Sequence, residues 1–495
     1  MIESQIKSRQ TLNMTDEEET TLLDAMGTIW VYLLFYVLAV MRDTTERVRL
    51  LLWPNNEEVD REGYIELYCN FERFYKRYCY ARMSEIFNVP ITTMAAPLTT
   101  IKERVMTDKL GELRETGKQI QLINMTSYNY LDMSQNQGDR ADSVKGEIKS
   151  RGLTTCSSRS ELGTLDSHRQ LESLMAEFLG VEQVFTVGMG FATNATVIPC
   201  LVNSDSLILS DEKNHSSIVL GCRLSGAAIR IYKHNDMDNL EQSIRDAILK
   251  GNRKTHRAFK KILIIAEGIY SMEGTIVELR DIIRLKKKYR CYLFIDEAHS
   301  IGALGRTGRG VCDLLGCNPQ DIDILMGTFT KSFSANGGYV AGKTAVIDYI
   351  KSQAASSIYA AAMPPAVARQ IIAALNVLKE EEGVKKLSRL ADNVKYFRSR
   401  LMKLGFPIIG HEASPVVPLM ISNPSIGLYT IRTLRENNVG CVYVGFPATE
   451  LMKGRIRFCL SAGHTQQMLD QVISALIAID EKAALVRRSR RHRSL

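Results

Sequence analysis

Six short β-rich runs, at 183–187, 207–209, 229–232, 262–265, 292–295 and 324–326, alternate with helical patterns such as 238–249 and 277–289. No other feature limits the possible folds as tightly. Alternation of this kind predicts a mainly parallel sheet with helices on both faces. After about Pro365 the pattern turns helical, through 391–404, and then returns to short strands, which reads as a smaller C-terminal α/β domain. The expected organisation is a large domain over 123–365 and a small one over 366–482. An N-terminal segment (1–52) and an arm (53–122) precede them, and a basic tail (483–495) follows.

The bulk numbers agree with this plan. A chain of 495 residues is long enough for two domains and a peripheral segment. With 45% hydrophobic and 24% charged residues it is globular, not disordered. The net charge of +8 is concentrated in the tail around Arg487, Arg488, Arg490, Arg491 and Arg493. That tail reads as a solvated end, and no nucleic-acid partner is expected. The ten cysteines are scattered without a Cys-x-x-Cys pair. Cys312 and Cys317 have no second pair to complete a zinc site, so reduced thiols and no metal are expected.

Residues 25–41 carry no charge, and Trp30, Tyr32 and Tyr36 suit an interfacial belt. At about 17 residues the stretch is at the lower edge of what crosses a bilayer. Its upstream flank is acidic (Asp16 to Glu19), unlike a cleaved signal peptide. Its downstream flank is basic (Arg42, Arg47, Arg49), which places the bulk of the chain in the cytosol. A membrane helix is expected, with a buried or interfacial helix as the alternative. Tyr68, Phe71, Phe74, Tyr75, Tyr78 and Tyr80 are spaced for an amphipathic helix in the arm, most simply a packing surface.

The chemistry collects where strands end, the place where open α/β sheets bind ligands. The apolar run 291–295 ends in Asp296, and Lys331 lies about 35 residues on, between Thr330 and Ser332. Alone, Asp296 is as well explained as a helix cap. Paired with Lys331 it suits pyridoxal 5'-phosphate (PLP). The lysine forms the Schiff base and the acid keeps the pyridine nitrogen protonated. His299 is placed to hydrogen-bond the ring oxygen. Gly188, Met189 and Gly190 follow a strand and open a helix, where backbone amides can approach a phosphate. Thr328 and Thr330 offer hydroxyls to the same group. His215, in a polar cluster past another strand, can stack on the ring. Arg455 and Arg457 share one face if 454–460 is a strand, and one of them can fork onto a carboxylate.

Taken together, the segments CSSRSELGTLDSHRQLE (156–172), GMGFATN (188–194), IDEAHSIGALG (295–305), GTFTKSF (327–333) and RFCLSAGHT (457–465) resemble the α-oxoamine synthases. These are PLP enzymes that condense an amino acid with an acyl-CoA. The resemblance covers roughly 64–477 and is to the lysine-bearing subunits of eukaryotic serine palmitoyltransferases in particular. It implies the PLP-dependent transferase fold of type I and a condensation of L-serine with palmitoyl-CoA to 3-ketodihydrosphingosine, with release of CoA and CO2. Lys331, Asp296 and His215 would be catalytic. His299 and Thr330 would fix the ring oxygen and phosphate, Ser271 would sit beside the cofactor, and Arg457 would bind the serine carboxylate. The implied setting is the endoplasmic reticulum membrane, with a related subunit lacking the lysine as heterodimer partner and small regulatory subunits. Two departures stand out. Ser334-Ala335-Asn336 occupies a place where the family usually has a Gly-Ala-Ala-like run, and the N-terminal extension is short. A synthase using glycine or alanine with another acyl-CoA is the main alternative. A non-catalytic scaffold subunit is the remote one, disfavoured by the retained Lys331, Asp296 and His215.

Overall fold

The computed structural model describes residues 22–52, 87–106, 113–252, 255–446, 448–483 and 485–486. The aromatic stretch around 68–80 and the arginine-rich end lie outside the described residues.

Two N-terminal strands, β1 (Leu98–Met106) and β2 (Leu113–Asn124), pair antiparallel. The central sheet follows with β3 (Gln183–Val187), β4 (Ser206–Asp211), β5 (Ala228–Tyr232), β6 (Lys261–Glu267), β7 (Tyr292–Asp296), β8 (Ile324–Thr328) and β9 (Gly338–Gly342). Its order is β3-β9-β8-β7-β6-β4-β5. The strands from β8 through β5 run parallel, and β9 is antiparallel to both of its neighbours. All six anticipated runs are strands, extended by a residue or two at some ends. The sheet is therefore mixed, through one strand that the apolar pattern did not reveal. Glycine at both ends of β9 hides it, and packing requires at least the first of them. A Cβ at Gly338 would sit 2.6 Å from Thr193 Oγ1 and 2.8 Å from the Gly327 carbonyl.

Neighbouring residues along a strand feed opposite faces. Leu263, Ile265 and Phe294 join one buried cluster with Val197, Ile198, Ile218 and Ile347. Ile264, Ala266, Leu293 and Ile295 join the other with Leu171, Met175, Leu240, Ile244 and Ile282. Burial on both faces explains why these strands read as continuous apolar runs and not as alternation. Each such side chain, fully buried, contributes about 1.5–3 kcal/mol.

Four further strands follow: β10 (Val416–Met420), β11 (Val439–Gly440), β12 (Val442–Val444) and β13 (Arg455–Cys459). β10, β13 and β12 form an antiparallel sheet. β11 pairs parallel with β2 and so ties the N-terminal hairpin to this C-terminal part.

The apolar N-terminal segment is helical from Leu22 to Leu52, longer than its uncharged stretch. Asp24–Thr45 is long and apolar enough to cross a membrane, with a mean hydropathy of 1.7. Thr44 and Thr45 turn their hydroxyls back onto the carbonyls of Val40 and Arg42, at 2.8 Å each, so polar residues do not end the helix. Pro54, just beyond its last residue, disfavours continuation. One stripe, containing Thr28 and Ala39, is buried, while Trp30, Leu33, Leu34 and Tyr36 are exposed. Tyr32 meets Phe446 edge-on, with ring centres 6.4 Å apart.

Candidate active site

Three adjacent parallel strands deliver polar residues to one edge of the sheet. β6 ends in Glu267, β7 in Asp296 and β8 in Thr328, and Glu267 and Asp296 are partners in register. Lys331 follows β8 in a tight turn closed by the Ser334 amide on the Lys331 carbonyl at 3.0 Å.

Asp296 is buried. Its Oδ2 accepts from Asn194 Nδ2 at 2.7 Å and its Oδ1 from the Ala298 amide at 2.8 Å. No cationic side chain among the described residues forms an ion pair with it. A buried carboxylate with two N–H donors and no ion-pair partner is a place for a protonated ring nitrogen, since an unpaired buried charge is costly.

Lys331 is half-buried, and its Nζ lies 5.5 Å from the centre of the Tyr128 ring. Loss of hydration brings its amine down to about 8, against the upward pull of Asp296 and Glu267 and with help from Arg457. The amine is thus more readily neutral, as a nucleophile must be.

His215 caps the helix Ser216–Leu224. Asn194 Nδ2 donates to Ser217 Oγ at 3.0 Å, and Ser217 Oγ lies 2.7 Å from His215 Nδ1. The Ser217 amide donates to the same nitrogen at 3.2 Å. Nδ1 is therefore an acceptor and the ring proton sits on Nε2. Burial lowers the affinity of this imidazole for a second proton; Asp296 opposes the shift and Lys331 adds to it. His299 is fully buried, with Nδ1 2.8 Å from Tyr130 Oη and its ring edge-on to Tyr128 at 5.2 Å. Burial, then the charges of Lys331 and Arg457, hold it neutral far below the usual histidine range.

The helix Gly190–Leu201 starts beside β8, with Met189 at its N-cap and its first amides open. A Cβ at Gly190 would lie 2.5 Å from Thr328 Oγ1, so only glycine lets the helix end approach this closely, whereas Gly188 has ordinary room. Thr328 gives its proton to the Gly337 carbonyl at 2.9 Å. Thr330 then donates to Thr328 Oγ1 at 2.8 Å, and because it is exposed its hydroxyl can be turned toward an anion instead. Helix amides and a hydroxyl around a glycine cradle suit a phosphate.

The two arginines of β13 are not equivalent. Arg455 is buried and committed to the carbonyls of Lys453 (3.0 Å) and Met272 (2.7 Å) and to Glu273 (3.4 Å). Arg457 donates to Tyr128 Oη and lies 4.9 Å from that ring's centre, which places it in the Lys331 cluster. Ser271 sits half-buried in the turn after β6, and its hydroxyl makes no hydrogen bond among the described residues. The structure therefore brings together Lys331, Asp296, His215, His299, Arg457, Thr328, Thr330 and the Gly188–Gly190 turn. Sequence reasoning missed the residues that hold them: Tyr128, Tyr130, Asn194, Ser217 and Glu267. Asn194 carried a signal, standing one turn after Gly190 on the helix that opens the phosphate cradle.

The donor set fits PLP at each end: an acid for the ring nitrogen, a histidine for the ring oxygen, an amine for the aldehyde and a cradle for the phosphate.

The model of the class I and II aminotransferase family matches residues 120–476. Serine palmitoyltransferase 2 of Caenorhabditis elegans is 44% identical over 462 residues, covering 92% of this chain and 83% of that protein. Serine palmitoyltransferase 3 of Homo sapiens is 48% identical over 425 residues, covering 85% and 77%. A solved high-resolution structure of SPT with PLP internal aldimine superposes with a TM-score of 0.69 at 25% identity, covering 78% of this chain and 94% of that one.

Proposed function

The chain belongs to the class I and II aminotransferase family, in its serine palmitoyltransferase branch, and we propose that it is the lysine-bearing subunit. Its reaction joins L-serine to palmitoyl-CoA, releasing CoA and CO2 and giving 3-ketodihydrosphingosine. The observation that carries this reading is the convergence of Lys331, Asp296, His215, His299 and Arg457 at one edge of the sheet.

Pyridoxal 5'-phosphate is the cofactor. Once held by the lysine amine, it supplies an electron sink for the charge left on the substrate's α-carbon. The remaining work falls to side chains. Asp296 would pair with the ring nitrogen. His299, held by Tyr130, would donate from Nε2 to the ring oxygen. His215, its proton on Nε2, would lie against the ring face. The amides of Gly188, Met189 and Gly190, with Thr328 and Thr330, would hold the phosphate, and Ser271 would sit beside the cofactor. Arg457, steadied on Tyr128, forks onto the serine carboxylate. Lys331 takes the α-proton, for which a lowered amine is suited.

The same reading makes 123–365 the cofactor-binding domain and 366–482 the small domain. It places the chain at the endoplasmic reticulum membrane with its catalytic part facing the cytosol. Arg42 and Arg49, toward the C-terminal end of that helix and beyond its uncharged stretch, support that orientation. The partner is a related subunit without the lysine, joined by small regulatory subunits.

The test uses the chain purified from membranes, alone and co-expressed with that partner. A serine-induced change in visible absorbance, with CoA released from palmitoyl-CoA only in the co-expressed sample, supports the proposal. A response to glycine or alanine instead of serine moves the chain to another synthase. Lys331→Ala should fold and show no turnover, and substantial turnover in that variant would overturn the role of Lys331.

A further inference from the structure

Glu267 is fully buried at the end of β6, directly beside Asp296 in register, and no motif reasoning gave it a role. Its Oε1 accepts the main-chain amide of His215. From there a closed path runs back to β7. His215 Nδ1 meets Ser217 Oγ at 2.7 Å, Ser217 Oγ accepts from Asn194 at 3.0 Å, and Asn194 donates to Asp296 at 2.7 Å. The Gly268 amide, next to Glu267, donates to the Asp296 carbonyl at 2.8 Å and closes the ring.

Two carboxyl groups side by side in a dry site do not both ionise. The donor geometry decides which carries the charge. Asp296 accepts two N–H groups, from Asn194 and Ala298, whereas Glu267 accepts one. Burial and the neighbouring Asp296 push Glu267 well above the carboxylate range, which agrees. Lys331 and Glu273 also face it, with opposing effects.

We propose that Glu267 is a positioning residue: as a neutral carboxyl it holds the main chain of His215, fixes that imidazole's plane and tautomer through the Ser217–Asn194 ring, and leaves Asp296 the sole anion for the cofactor's ring nitrogen. This rests on the PLP reading of the site. Neutrality makes a specific demand. Glutamine has the same shape and no charge, so it can replace Glu267, whereas alanine cannot.

The experiment uses the full-length heteromer carrying Glu267→Gln, Glu267→Ala and, separately, Ser217→Ala. The readouts are the induced circular dichroism of bound PLP, which reports the cofactor's fixed pose, PLP dissociation followed by fluorescence, and kcat and serine KM. Glu267→Gln is expected to retain the dichroic band and its pH dependence. Glu267→Ala and Ser217→Ala are each expected to weaken the band and to lower kcat by roughly tenfold or more, with a smaller change in serine KM, a loss of orientation and not of binding. The proposal is overturned if Glu267→Gln behaves like Glu267→Ala, because charge is then what matters. It is also overturned if Glu267→Ala, folded and loaded, leaves the band unchanged. Absence of any PLP band in the unsubstituted heteromer would instead overturn the cofactor site itself.

Discussion

The lowered amine of Lys331 can be measured without turnover. An amine at about 8 is roughly one-tenth neutral at pH 7, whereas one at the ordinary 10.5 is neutral in only about 3 molecules in 10,000. The reactive fraction therefore differs by roughly 300-fold. Reductive methylation of the cofactor-free protein, with the Lys331 peptide followed by mass spectrometry, turns that fraction into a rate. The rate should rise to about pH 8 and then level. Lys260, held above the ordinary lysine value by its hydrogen bond to Asp205, should still be rising at pH 10 and serves as the internal control. Replacing Asp296 with Asn removes a charge that raises the amine, so the midpoint should fall below 8. Stability supplies a second signature. The unfolded chain holds the lysine proton up to about 10.5 and the folded chain only to about 8. The cost to folding is fully present below 8 and is relieved as pH rises through that window. Lys331→Met should therefore raise the Tm of the cofactor-free protein more at pH 7 than at pH 10. A methylation midpoint near 10.5 would show that burial does not act on this amine and would refute the reasoning.

Arg457→Lys keeps the charge but loses the planar fork, so steady-state kinetics should show serine KM raised on the order of tenfold or more with the fold intact. Arg455→Lys should lower Tm instead, because Arg455 is spent on Met272 and Glu273. Arg159 and Glu172, with side chains 7% and 11% exposed and paired at 2.9 and 3.1 Å, form a buried bidentate bridge. Arg159→Met should cost about 3–5 kcal/mol in denaturant unfolding, and Arg159→Met with Glu172→Leu should recover much of it, because the lone buried carboxylate is the main penalty. Removing residues 1–52 should move the protein from the membrane pellet to the supernatant, and retention in the pellet would count against the apolar helix as the anchor.

The parts legible in the sequence were those whose signal is local. Parallel strands buried on both faces are unbroken apolar runs, and chemistry-bearing residues stand just past their ends. What escaped depends on contacts between distant segments. β9 is strand-like only because Val187 and Thr328 offer edges on either side of two glycines. Period-two spacing put Arg455 and Arg457 on one face but could not rank them. Their ranking comes from Glu273 and Tyr128, each more than 180 residues away in sequence. Glu267 stands just past the apolar run 262–265, yet its partner is a main-chain amide 52 residues upstream, which no side-chain pattern reveals. The departure at Ser334 follows the same rule. It takes a left-handed backbone, φ +49°, which favours glycine, directly after the lysine turn. The strain is offset by its own hydroxyl, which donates to Asn129 Oδ1 at 2.8 Å. Asn129 is in turn anchored to the Ala95 carbonyl and to Ser134. A serine can thus stand where backbone freedom is wanted, because a hydrogen bond from the N-terminal half holds the loop that carries Lys331.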